Sequence, residues 1–150
     1  MSDKAERRPT FTSDRQFRLW EFRVSHSQLL VRSPRSPDLE ASENIDLIFL
    51  GVDYLCLPDH MAGVHVSVGS PTALAEVAER LARPISRGSN LYEVMSQGKQ
   101  HLVVAAQLGV AHTTCDIMES SLVLHFSPDG DAERRFRREH LISYALVGGL

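Results

Sequence analysis

Seven histidines and two cysteines are the chain's stock of metal ligands and nucleophiles. The spacing with the most chemistry in it is His112-x-x-Cys115-Asp116, with His125 following nine residues beyond Asp116. Imidazole, thiolate and carboxylate can hold zinc tetrahedrally, which makes His112, Cys115 and His125 the candidate metal ligands. The paired Cys-x-x-Cys elements of a structural zinc site are absent. On a strand, moreover, His125 would point away from the face shared by Leu124 and Phe126. The balance favours histidines that serve the surface or internal hydrogen bonds, and the expectation is a chain with no cofactor. His60 and His65 lie five apart across Gly63, a spacing that neither a strand nor a helix turns into a chelate.

Two sequence neighbours pair a nucleophile with a base: Cys115 near His112, and Ser25 beside His26. A thiol needs a base or a positive field to lower its pKa, and a serine needs an oriented base and oxyanion donors. Adjacency in sequence supplies neither. No Gly-x-Ser-x-Gly elbow, Gly-x-x-x-x-Gly-Lys phosphate loop, Gly-x-Gly-x-x-Gly turn or His-Glu-x-x-His helix occurs. Aromatic residues gather early, at Phe17, Trp20, Phe22, Phe49 and Tyr54. Trp20, Phe22 and Tyr54 are candidates to line a small-molecule pocket, although alternating aromatics on strands more often build a sheet core. The one dense basic stretch is Arg134, Arg135, Arg137 and Arg138. On a helix Arg134, Arg135 and Arg138 can share a face, suited to a phosphate or an acidic protein surface, or simply solvated and complementing the helix dipole.

These residues need elements to position them. Phe17–Val24 alternates, with Trp20, Phe22 and Val24 on one side, and a polar break at Ser25–Ser27 precedes Leu29–Val31, which reads as an antiparallel hairpin. Ile45–Leu57 is nearly continuous in β-branched and aromatic residues, with Gly51 marking a bulge or bend between two short strands. Gly63–Val68 alternates again, with His65 on the wetter side. Ser70 and Pro71 then cap and open a helix over residues 71–83, its stripe Leu74, Val77, Ala78 and Leu81, its exposed face pairing Glu76 with Arg80 and Glu79 with Arg83, and Pro84 ending it. Leu91–Met95 and His101–Ala106 flank a turn as a second hairpin, Val110–Thr114 continues the sheet, and Leu122–Phe126 reads as a short strand. Asp131–His140 favours a final helix. Beyond it Leu141, Ile142, Tyr144, Ala145, Leu146 and Val147 are too apolar for one helical stripe, so the tail is either threaded into the fold or covers a partner.

The 150 residues are 43% apolar and 23% charged, enough for one domain with its own core and no need of a disulfide or metal. Residues 1–40 hold 8 basic against 6 acidic side chains, residues 41–133 hold 4 against 12, and residues 134–150 hold 4 against 1. An acidic centre repels phosphate backbones, which disfavours general nucleic-acid binding. Met1–Arg15 has no apolar core of a secretion signal, no apolar run approaches a membrane span, and Cys56 and Cys115 read as buried thiols. These features suggest the cytoplasm and no membrane partner. The expected architecture is α+β: residues 1–15 a flexible N-terminal segment, then one domain over 16–150. That domain has an antiparallel or mixed sheet of about six to eight strands, one central amphipathic helix on a face and a C-terminal helical segment. Catalytic spacing is missing while the C-terminal apolar surplus and the arginine patch are present. The favoured function is therefore a non-enzymatic interaction domain, binding a protein partner or itself, with Arg134, Arg135, Arg138, Leu141, Ile142 and Leu146 as the candidate interface. The alternative is a small-molecule-binding protein or small enzyme that uses an aromatic pocket with histidine and cysteine.

Overall fold

The apolar alternation of this chain produces seven antiparallel strands, β1 (Phe11–Arg23), β2 (Gln28–Ser33), β3 (Asn44–Cys56), β4 (His60–Val68), β5 (Asn90–Ser96), β6 (Lys99–Thr113) and β7 (Leu141–Leu146). Two helices, α1 (Pro71–Arg80) and α2 (Gly130–Glu139), complete an α+β fold. The computed structural model describes residues 10–36, 38, 42–125 and 127–148. No helix among them is long and apolar enough to cross a membrane.

The strands close on themselves. β1 pairs with β2 and β4, β2 with β3, β3 with β6, β6 with β5, and β5 with β4, so six strands form a ring. β6 is long enough to serve two neighbours along one edge, β5 over residues 99–105 and β7 over residues 109–113. Alternate residues of all six ring strands meet in one core, among them Phe17, Leu29, Leu47, Phe49, Met61, Val66, Tyr92 and Val103. Full burial of such side chains contributes about 1.5–3 kcal/mol each, which is what holds the ring shut. Two smaller apolar clusters lie outside the ring. One, with Val77, Leu91 and Val104, seats α1; the other, with Leu30, Ile48, Ala111, Leu122 and Phe136, seats the chain from Thr114 to His125 and α2.

The cap and stripe of α1 are as expected: Ser70 Oγ accepts from the Ala73 N–H at 3.1 Å, and Pro71 opens the helix. The helix stops at Arg80, short of Pro84, so Glu79 and Arg83 lose helical spacing and Arg83 turns instead to the Asp53 carbonyl at 2.7 Å. β1 begins at Phe11, inside the stretch read as flexible, because Phe11–Ser13 pair with Val64–Val66 of β4. The two short strands expected around Gly51 are one, β3, bent where Gly51 takes φ +63° and the register slips between Val52 and Tyr54. Leu122–Leu124 is not a strand but part of a 3₁₀ turn, Ser121–Leu124, whose start is capped by the Ser120 hydroxyl; Phe126 lies outside the described residues. Its apolar residues are spent on the barrel flank rather than on a sheet. Cys115 is buried, but Cys56, at the outer end of β3, is exposed.

Candidate functional site

The side chains that the sequence marks for chemistry are spread over separate places. His112 sits near the end of β6, where its Nδ1 meets Glu43 Oε1 at 2.5 Å. A carboxylate on one ring nitrogen fixes the imidazole and leaves the other nitrogen for acid–base work. Ser143 is its register partner on β7, and both residues line a slot of about 210 Å³ walled by Phe11, Val110 and Leu146. No hydrogen bond joins His112 to Ser143 among the described residues, so the serine is not activated in this geometry.

Cys115 is fully buried among Thr113, Asn44 and Arg32. Burial pushes its thiol up, against the Thr113 hydrogen bond and the Arg32 charge, which keeps it protonated and a poor nucleophile. His125 lies elsewhere again, its Nε2 3.0 Å from the Tyr144 hydroxyl. Burial, helped by the Arg137 charge, lowers its pKa and holds it neutral. Each of the three expected ligands thus has its own protein partners. Among the described residues no group of three His, Cys, Asp or Glu side chains is placed to hold a metal.

The expected aromatic pocket residues are separated by two bulges. The register slips between Leu19 and Glu21, so Trp20 is the extra residue and packs on the outer flank, while Phe22 takes the position opposite Leu29 and is 44% exposed. Alternation alone puts Trp20 and Phe22 on one side; the bulge sets them apart. Tyr54, beside the second bulge, packs under α1.

The residues that organise this flank are ones that the motifs do not pick out. Arg32 and Asp46 face each other across β2 and β3 with no solvent exposure, Nε to Oδ1 at 2.7 Å and Nη2 to Oδ2 at 2.8 Å. Nη1 donates to the carbonyls of Ile117 and Glu119, and Nη2 also reaches Cys115 Sγ at 3.6 Å. All five guanidinium donors are spent, and the Trp20 ring covers the cation at 5.6 Å. Burial works against the charge, but the Asp46 contacts outweigh it and raise the Arg32 pKa. Asn44 donates to Thr113 Oγ1 and to the Cys115 carbonyl, at 3.1 and 3.0 Å. This is a saturated clamp that pins the chain from Thr114 to His125, and it leaves no donor for a ligand. The sequence does hold its signal: one charge inside each of two apolar runs, Leu-Leu-Val-Arg and Ile-Asp-Leu-Ile.

The expected interface residues lie on the chain's last two elements, α2 and β7. Arg134, Arg135 and Arg138 are exposed on α2, with Arg134 paired to Asp131 and Arg138 to Glu139 at 3.6 Å. Leu141 and Leu146 are half-buried, whereas Ile142 is 55% exposed. The register between β6 and β7 slips where Leu141 follows Ser143, which makes Ile142 the extra, protruding residue. Among the described residues β7 pairs with β6 alone, and its six residues, Leu-Ile-Ser-Tyr-Ala-Leu, carry no charge. No family model matches this chain, and neither a curated protein nor a solved structure matches it.

Proposed function

We propose that this chain is a protein-interaction domain and that β7 is its working edge, pairing with the β7 of a second copy. The observation that carries this reading is an uncharged edge strand with Ile142 standing out of it. Edge strands are ordinarily protected by lysine, proline or a covering element, because their unpaired N–H and C=O groups template another strand. The bulge at Ile142 removes one position from a flat edge, and leaves Ser143–Leu146 free of charge and of proline. An antiparallel strand meeting its own copy across a two-fold axis is self-complementary, so one patch provides both sides of the interface. The protruding isoleucine then serves as the apolar anchor, while the exposed arginines of α2 lie at the polar rim.

Sedimentation of the purified chain between about 1 and 100 μM tests this, a range that spans the affinity of ordinary protein pairs. Wild type is expected to dimerise, and Ile142→Lys to sediment as a monomer with an unchanged circular dichroism spectrum. A wild-type chain that stays monomeric throughout, or a dimer indifferent to Ile142→Lys, overturns the reading.

A further inference from the structure

The inward positions of β6 run Val110, Leu108, Ala105 and Val103, all in the barrel core, and then change character to His101 and Lys99 at the open end. β5 changes likewise, from Val94 in the core to the nearly buried Ser96. These side chains, with Gln97, His60 and the buried Met61, line a cavity of about 440 Å³. That volume is within the range of small-molecule sites, and barrel mouths are a recurrent place for them.

Among the described residues no carboxylate lines the cavity, in a stretch of chain where acids outnumber bases by 12 to 4. Among the described residues, no hydrogen bond or ion pair engages the side chain of Lys99 or of His101. His60 spends Nε2 on Gln16 at 2.9 Å, which leaves its Nδ1. The Ser96 hydroxyl reaches the Ala62 carbonyl only at 3.5 Å, a contact easily exchanged for a better one. The turn is rigid: Gln97 and Gly98 both hold positive φ, +51° and +74°, which keeps Ser96 and Lys99 opposite each other. An ammonium, two imidazoles, an amide and a hydroxyl, over an apolar floor of Met61 and Pro58, are the donor set for an anion.

We propose that this end of the barrel binds a small molecule through an oxyanion, phosphate or carboxylate, held by Lys99 and His101. The site is at the mouth formed by the β3–β4 connection and the β5–β6 turn, and it does not depend on strand pairing by β7.

Proton NMR of the histidine rings, in the full chain at pH 7 and constant ionic strength, reads the site directly. Inorganic phosphate and acetate are titrated in separate arms, with chloride as the control. The His101 and His60 signals are expected to move saturably, with a dissociation constant on the order of 1 mM for the better anion. Lys99→Gln and His101→Gln are each expected to weaken binding about tenfold, and the remaining ring signals report that the variants are folded. Saturation by phosphate alone assigns a phosphate ligand, and saturation by acetate alone a carboxylate. Shifts that chloride reproduces, that fail to saturate, or that survive the Lys99→Gln/His101→Gln double variant overturn the proposal.

Discussion

The barrel is covered on two flanks, and the covers are fastened by opposite means. On one side the chain from Thr114 to His125 is pinned by Arg32 and Asp46, a full positive and a full negative charge with no access to water. On the other, α1 rests on Tyr54, Leu91 and Val104, and the chain after it is tied by Asp53, which accepts from the Ser86 N–H and the Ser89 hydroxyl at 2.9 Å each. A buried ion pair gains little net stability because each charge has lost its hydration, yet it fails badly when one partner goes. A tie in contact with solvent fails gently, because water replaces what is lost. The first flank is therefore specified by geometry, and the second by apolar area with a modest polar fastening.

Asp46→Ala is the harshest way to break that contrast. It leaves the Arg32 charge buried without a counter-charge, and is expected to cost about 3–5 kcal/mol in urea unfolding. The double substitution Arg32→Met with Asp46→Leu removes the charge as well as its partner, and should recover much of that loss. The remaining deficit, about 1–3 kcal/mol, belongs to the carbonyls of Ile117 and Glu119, which then have no donor. If Asp46→Ala costs under about 1 kcal/mol, water reaches the clamp and the two flanks are alike.

What the sequence made legible follows from the range over which each signal acts. Local signals survive: Ser70 and Pro71 start α1, the Ser25–Ser27 break turns β1 into β2, and Gln97–Gly98 turns β5 into β6. Ring closure depends on β3 meeting β6 across 46 to 69 residues of chain, from the Cys56–Leu102 pair to the Asn44–Thr113 pair, and no local pattern announces that partner. Bulges are also silent, since an extra residue in one strand is defined by the opposite strand; this is why Trp20 and Phe22 part company. Leu122 and Leu124 misled because burial on a flank produces the same alternation as burial on a sheet. His112 and His125 were legible as chemistry but not as partners, because Glu43, in the connection just ahead of β3, and Tyr144, on β7, reach them from elsewhere in the chain.

Asp53→Ala probes the gentler flank. Three hydrogen bonds and a 3.8 Å contact with Arg83 disappear, but Asp53 is only partly buried and its former donors can turn to water. The expected loss is about 1–2 kcal/mol, with amide exchange faster in residues 83–89 and unchanged around Arg32. A loss as large as that of Asp46→Ala would mean that the Asp53 fastening, rather than the apolar seat of α1, holds the helix down.

Acid separates the two flanks with the smallest effect and without any mutation. His125 titrates below its free value of 6.5 because burial and Arg137 disfavour the imidazolium. Glu133 pulls weakly the other way, and the Tyr144 hydroxyl faces the ring. The unfolded chain therefore takes up this proton before the folded one does. Its contribution to stability is complete above pH 6.5, drains away as the pH falls towards the lowered folded value, and is flat below it. Asp53 is shifted in the same direction around a lower midpoint: its carboxyl is held below 3.8 because the Ser86 and Ser89 hydrogen bonds and the Arg83 charge outweigh burial. Its contribution is therefore intact down to about that pH and is lost only below it. Amide exchange followed from pH 7 to pH 5 should consequently quicken around Leu122–His125 and Tyr144 while residues 83–89 stay as protected as before, once the intrinsic pH dependence of exchange is removed. His125→Asn should abolish the difference between the flanks in that window. If the flanks loosen together, the protonation that matters is elsewhere and the two fastenings share one cooperative unit.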